Sequence, residues 1–144
     1  GKLKTVSGDI SIYGSKTIKK VSTNSGNITI TQTGRIEDIS TISGNVTIDS
    51  DLILSIDVKS GDINVRALDQ SDDMNIETIS GNINISLKPS LNTILKIKTK
   101  TVSGKITNNA GDIIYGENAK NDNSAVTKSV DISTISGNVT VNRL

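Results

Sequence analysis

The 144-residue chain has no cysteine, histidine, tryptophan or phenylalanine, one proline (Pro89) and one methionine (Met74). Without cysteine there are no disulfides and no thiolate metal sites, and the redox compartment stays open. Without histidine the commonest general base is missing. Without tryptophan and phenylalanine the core must be aliphatic, and only Tyr13 and Tyr115 offer an aromatic ring. An excess of one charge is also missing: sixteen basic residues against fifteen acidic leave a net +1. That balance gives no footprint for nucleic acid. No apolar run is long enough to cross a membrane as a helix, and no signal peptide is legible. No window carries a 3.6-residue amphipathic period, so helices are not expected.

What the chain does have is Ser-Gly, seven times: Ser7-Gly8, Ser25-Gly26, Ser43-Gly44, Ser60-Gly61, Ser80-Gly81, Ser103-Gly104 and Ser136-Gly137. The intervals are 18, 18, 17, 20, 23 and 33 residues. A period of this size marks stacked repeats that bury their core on one another. Aligned on the serines, the second residue on is Asp9, Asn27, Asn45, Asp62, Asn82, Lys105 or Asn138. Ile or Val always follows (Ile10, Ile28, Val46, Ile63, Ile83, Ile106, Val139). Two further on comes another, broken only by Asn108. Upstream, an aliphatic column ending in Thr99 and Ile132 and a Thr column (Thr5, Thr23, Thr41, Thr78, Thr101, Thr134, with Val58 once) complete the pattern. Apolar residues two apart are the strand period.

These columns predict an all-β fold: a parallel single-stranded β-helix of about seven turns of ~18 residues, right-handed by the crossover rule. The glycines are expected at corners with positive φ, helped by local bonds from the neighbouring Asn or Asp. The Thr column is expected as a ladder on one wall. The aliphatic residue just before several serines (Val6, Ile42, Ile79, Val102, Ile135) is out of phase, which puts the corner there. Residues 38–47 and 131–140 are identical, as duplication or selection for one geometry would produce. Residues 1–144 read as one domain cut from a longer protein, with a polar surface insertion at 110–127. The regular final repeat, from Ser136 to Leu144, bears no evident cap.

Chemistry is sparse. A carbohydrate-active enzyme would need paired acids on one wall. Asp57 with Asp62, and Asp49 with Asp51, are close only in sequence and read as solvated residues. Asp69, Asp72 and Asp73 form an acidic loop able to offer oxygen ligands to calcium, but a solvated loop is preferred. Lys96, Lys98 and Lys100 alternate with Leu95, Ile97 and Thr99. They would line one strand face, either as a patch for an anionic polymer or lipid surface or as a polar face that discourages edge pairing. The closely spaced threonines (Thr29, Thr31, Thr33, Thr99, Thr101) are explained by strand propensity. The sequons at Asn27, Asn45, Asn84 and Asn138 follow from the repeat. No cofactor and no metal site is expected. Gly8, Gly26, Gly44, Gly61, Gly81, Gly104 and Gly137 are structural corners. Lys96, Lys98, Lys100, Tyr115 and Glu117 are the candidate interaction surface.

The pattern Thr-x-Ser-Gly-[Asp/Asn]-[Ile/Val]-x-[Ile/Val], carried by residues 5–12, 23–30, 41–48, 78–85 and 134–141, resembles a bacterial domain-of-unknown-function family described as adhesins. The likeness covers essentially the whole chain. It implies a β-solenoid on the outside of a bacterial cell, with no catalytic residues to carry over. The expected function is a non-enzymatic adhesion, scaffold or interaction module of the cell envelope. Its partner would be a surface protein or polysaccharide, with no nucleic acid and no membrane insertion by this segment. The alternative is a self-assembling cytoskeletal solenoid similar to the bactofilins, with coils stacked end to end; the uncapped final repeat favours it. A carbohydrate-active β-helix is the third reading.

Overall fold

A computed structural model describes residues 2–14, 16–119 and 124–144. The strands among the described residues are β1 (Lys2–Ser7), β2 (Ile10–Tyr13), β3 (Thr17–Ile18), β4 (Lys20–Ser25), β5 (Ile28–Ile36), β6 (Ile39–Ser43), β7 (Val46–Ile53), β8 (Ser55–Ser60), β9 (Ile63–Gln70), β10 (Met74–Ser80), β11 (Ile83–Pro89), β12 (Thr93–Ser103), β13 (Ile106–Asn108), β14 (Ile113–Tyr115), β15 (Val126–Ser136) and β16 (Val139–Arg143). They form two sheets. Sheet I runs β1-β4-β6-β8-β10-β15-β12-β14; sheet II runs β13-β16-β11-β9-β7-β5-β2, with β3 also paired to β5. The chain is all-β with parallel pairing, except that β12 and β14 are antiparallel.

Each Ser-Gly pair lies where the chain leaves sheet I and enters sheet II, joining two strands into a rung. The inward residues of a rung are those the repeat columns pick out. Ile28, Val46, Ile63, Ile83 and Val139 from sheet II face Val21, Ile39, Ile56, Ile76 and Ile132 from sheet I, all at most 1% exposed. The Thr column is interior and not on a wall: Thr23, Thr41, Thr78 and Thr134 are each 3% exposed. Their methyls pack with the core while most hydroxyls bond nearby carbonyls, as Thr134 does to Gly81 at 3.2 Å. The out-of-phase aliphatics before the serines point outward, and the chain turns after them, at the glycine.

Two ladders hold the corner. The seven glycines have φ from 127° to 153°. At Gly44 a Cβ would run into the carbonyl oxygen of Gly26, and Gly44 itself does this to Gly61. Only Gly8, at the start of the stack, has open space there. The Asn/Asp column does not bond its own loop, as expected from sequence, but reaches the next rung. The Asp9 carboxylate accepts from the Asn27 N–H at 2.8 Å, and Asn27 Oδ1 accepts from the Asn45 N–H at 2.9 Å. The series continues through Asp62, Asn82 and Asn138 to the Lys105 N–H at 2.9 Å.

That last step shows that the rungs are not stacked in chain order. The rung of Ser136-Gly137 lies between those of Ser80-Gly81 and Ser103-Gly104. Strand β15 pairs with β10 on one side and β12 on the other, and β16 pairs with β11 and β13. The final repeat is therefore internal, which corrects the expectation that it stands uncapped at an end. The physical reason is in the side chains. The last rung presents Ile132, Val139 and Val141, which suit burial on both sides. The sixth presents Thr99 where the others have an aliphatic, and Asn108, which do not.

The stretch 110–127 divides. Ile114 is fully buried and joins the hydrophobic core, pairing in register with Leu95. Ala119 is 2% exposed, while Val126 is 51% exposed and Val130 is buried. The tip of the polar run, residues 120–123, lies outside the described residues.

Candidate functional site

The candidate surface is the outer face of sheet I at the end formed by β12 and β14. Because β12 alternates, Leu95 and Ile97 go inward and Lys96, Lys98 and Lys100 go outward, all three exposed. Strand β14 covers only the first part of the β12 edge, with Lys96 opposite Ile113 and Ile94 opposite Tyr115. Lys98 and Lys100 therefore stand on an open edge strand. The antiparallel return puts Ile94, Ile113 and Tyr115 on the same face as Lys96, since their partner pair Leu95–Ile114 is buried. Tyr115 is 36% exposed and Ile113 41%. Arg143 Nη2 donates to the Tyr115 carbonyl at 3.0 Å, tying β14 to the end of β16. Glu117 is exposed, its carbonyl accepting from the Asn92 N–H at 3.4 Å. The five expected residues thus share one end of the stack. The sequence reading missed Ile94 and Ile113. The Ile113-Ile114-Tyr115 run was the available signal, a short strand inside what reads as an insertion.

Across sheet I the charge changes sign. Lys98 lies beside Asp131 and Lys100 beside Ser133 on β15; next come Asn75 and Glu77 on β10, then Asp57 on β8. Lysine returns at the opposite edge, with Lys2 and Lys4 on β1 and Lys20 on β4.

The acidic loop has a structural occupation. Asp72 Oδ1 accepts from the Asp73 N–H at 2.8 Å and lies 3.6 Å from Lys128 Nζ. The Asp73 carboxylate accepts from the Ser129 N–H at 2.8 Å. These bonds fasten the start of β15 to the loop. The backbone bond from Asp73, opposed by some desolvation and aided by Lys128, holds the Asp72 carboxyl below its usual range. Among the described residues no group of three or more acids is arranged to hold a metal ion. Gln70, fully buried, fills the ladder beside this loop. Its Nε2 donates to the carbonyls of Ile53 and Asp72 at 2.9 Å, and its Oε1 accepts from the Ile53 N–H at 3.1 Å.

Asp57, which lies beside Glu77, and Asp62 are not brought together. Asp57 is on the outer face of sheet I, Asp62 is in the corner ladder, and Asp49 pairs with Arg66 at 3.1 Å outside sheet II. Of the sequons, Asn27, Asn45 and Asn138 serve the ladder, and Asn84 lies on the exposed face of β11.

Compared with protein-family models, residues 1–142 match Toastrack DUF4097, a domain of unknown function. The chain belongs to this family. Its match runs through every rung, including the two whose spatial order is exchanged. No curated protein and no solved structure matches the chain.

Proposed function

We propose that this Toastrack domain is a non-enzymatic interaction module of the bacterial cell envelope, an adhesion or scaffold element. We read the stack as a right-handed single-stranded β-solenoid of seven turns. Its lysine-bearing end binds an anionic envelope polymer. The observation that carries this reading is the row Lys96, Lys98, Lys100 beside the exposed Ile113 and Tyr115. Three ammonium groups on alternate residues of one strand follow a ~6.6–7 Å repeat, and adjacent apolar area supports contact with a polymer backbone.

The end-to-end cytoskeletal alternative is less well supported. Continuing sheet I from β12 of one copy to β1 of another would set Lys98 and Lys100 against Lys2 and Lys4, one strand spacing apart. Lys105 offers no side-chain oxygen to continue the corner ladder, and β14 already occupies part of the edge.

Titration calorimetry with poly(glycerol phosphate) tests the reading. The wild-type chain should bind with an affinity that falls as salt rises. Replacing Lys96, Lys98 and Lys100 together by Gln should abolish binding without lowering thermal stability. Unchanged binding by that variant would refute the assignment of this surface.

A further inference from the structure

The exchange of rung order assembles a second surface. The residues just before serine lie between registered pairs: Thr78–Thr134 and Ser80–Ser136 flank Ile79 and Ile135, and Thr101–Thr134 and Ser103–Ser136 flank Val102. Ile79, Ile135 and Val102 are thus neighbours on three adjacent strands, 49%, 53% and 73% exposed. In chain order Ile135 would not separate Ile79 from Val102. Lys59 continues the row on β8. Parallel to it, two residues nearer the strand start, runs the row Asp57, Glu77, Ser133, Lys100. Between the rows is a shallow groove of about 510 Å³ with Thr78 and Thr134 in its wall.

We propose that this face of sheet I is the interface of a symmetric dimer, and that its occupant is a second copy of this chain. The argument is self-complementarity. A two-fold axis lying in the interface, parallel to the strands and midway between β10 and β15, keeps position along the strand and reverses the order of rungs. Ile79 then faces Ile135 of the second copy, and the reciprocal contact follows by symmetry. Asp57 faces Lys100, opposite charges at the two ends of the patch. Lys59 faces Val102, its aliphatic stem covering the valine while the ammonium reaches water. No like charges meet along these rows. The proposal goes beyond the polyanion reading and does not rest on it: Lys96 and Lys98 lie outside the patch, Lys100 is shared by the two surfaces, and Ile79, Ile135 and Val102 belong to the dimer face alone.

Sedimentation velocity of the whole chain tests the proposal. A concentration-dependent dimer is expected between micromolar and millimolar protein. Ile135→Glu should weaken association roughly tenfold or more, and Val102→Lys, at a more exposed position, should act in the same direction with its fold intact by circular dichroism. Lys100→Asp alone should weaken the dimer, and adding Asp57→Lys should restore it, because the exchanged pair still meets across the axis. A wild-type chain that stays monomeric at millimolar concentration would overturn the proposal. So would association indifferent to both Ile135→Glu and Val102→Lys. Failure of the double charge exchange to restore what Lys100→Asp removed would overturn this axis. Polymer binding is read separately by calorimetry, so either idea can fail alone.

Discussion

The rungs of Ser103-Gly104 and Ser136-Gly137 lie side by side and meet opposite demands. The later one is covered on both flanks. Its buried positions are Val130, Ile132, Thr134, Val139 and Val141, and it carries an Asn that passes the corner ladder onward and a glycine into whose Cβ space the Gly81 carbonyl projects. The earlier one has a neighbour on one flank for most of its length. Its inward positions run Leu95, Ile97, Thr99, Thr101, Ile106, Asn108, so polarity rises where the core opens to water. Ile106 is 40% exposed, against full burial of Val139 beside it. Asn108 turns its side chain to local use, donating to the Gly111 carbonyl and accepting from the Ala110 N–H, both at 3.0 Å. Those bonds end β13 and steer the chain toward β14. The pair shows that a repeat can specify an end by what it withholds: a two-sided aliphatic rung invites a neighbour, and a one-sided rung with a polar rim does not.

The sharpest way to break the comparison is a charge at equivalent positions. Val139→Asp should cost several kcal/mol and leave little folded protein, because an unpaired carboxylate enters a dry column. Ile106→Asp should cost about 1 kcal/mol, since water reaches that site. Urea unfolding read by circular dichroism separates the two. Equal costs would mean that the sixth rung is as enclosed as the seventh.

A smaller effect tests the ladder. Asn138→Ala removes the acceptor for the Lys105 N–H and should destabilise by about 1 kcal/mol. Lys105→Ala, whose side chain caps no further rung, should change stability by less than about 0.5 kcal/mol. If both substitutions cost the same, the one-directional ladder is not what holds the corner.

The smallest effect concerns the strap that admits the seventh rung. The Asp72 carboxyl has a depressed folded-state pKa, so its contribution is present above the unfolded value and is lost as pH falls through the folded one. Acid titration should therefore loosen the start of β15 below the usual carboxylate range. Amide exchange at Lys128 to Val130 should rise there before it rises at Ile132 to Thr134. Asp72→Asn should flatten that early rise; an unaltered profile would remove Asp72 from the strap.

Much of this architecture is legible in the residues. The Ile/Val columns, the Ser-Gly corners and the outward lysines of β12 follow from a period of two combined with a repeat. Even the cap leaves a trace, since Thr99, Lys105 and Asn108, which break three of the columns, all fall on that rung. They read as irregularities because each column ranks repeats by their place in the chain, and nothing local says which repeats touch. Stacking order is decided by which rung can be buried on both faces, a comparison between distant segments. The strand that carries Ile113 and Tyr115 is not legible for a related reason. Their partner is Ile94 to Lys96, on a strand that runs the other way, and a repeat of parallel strands gives no hint of an antiparallel return.

The internal position of β15 and β16 bears on synthesis. A stack built in chain order can close behind the ribosome, one rung at a time. Here the sixth rung emerges before the strands that will separate it from the fifth, and the interval remains unfilled until residues 126–144 arrive. During that delay β10 and β11 expose parallel edges with no permanent neighbour. Until residues 126–144 are translated, the nascent chain thus exposes edges whose permanent neighbour is a later-made segment of the same domain.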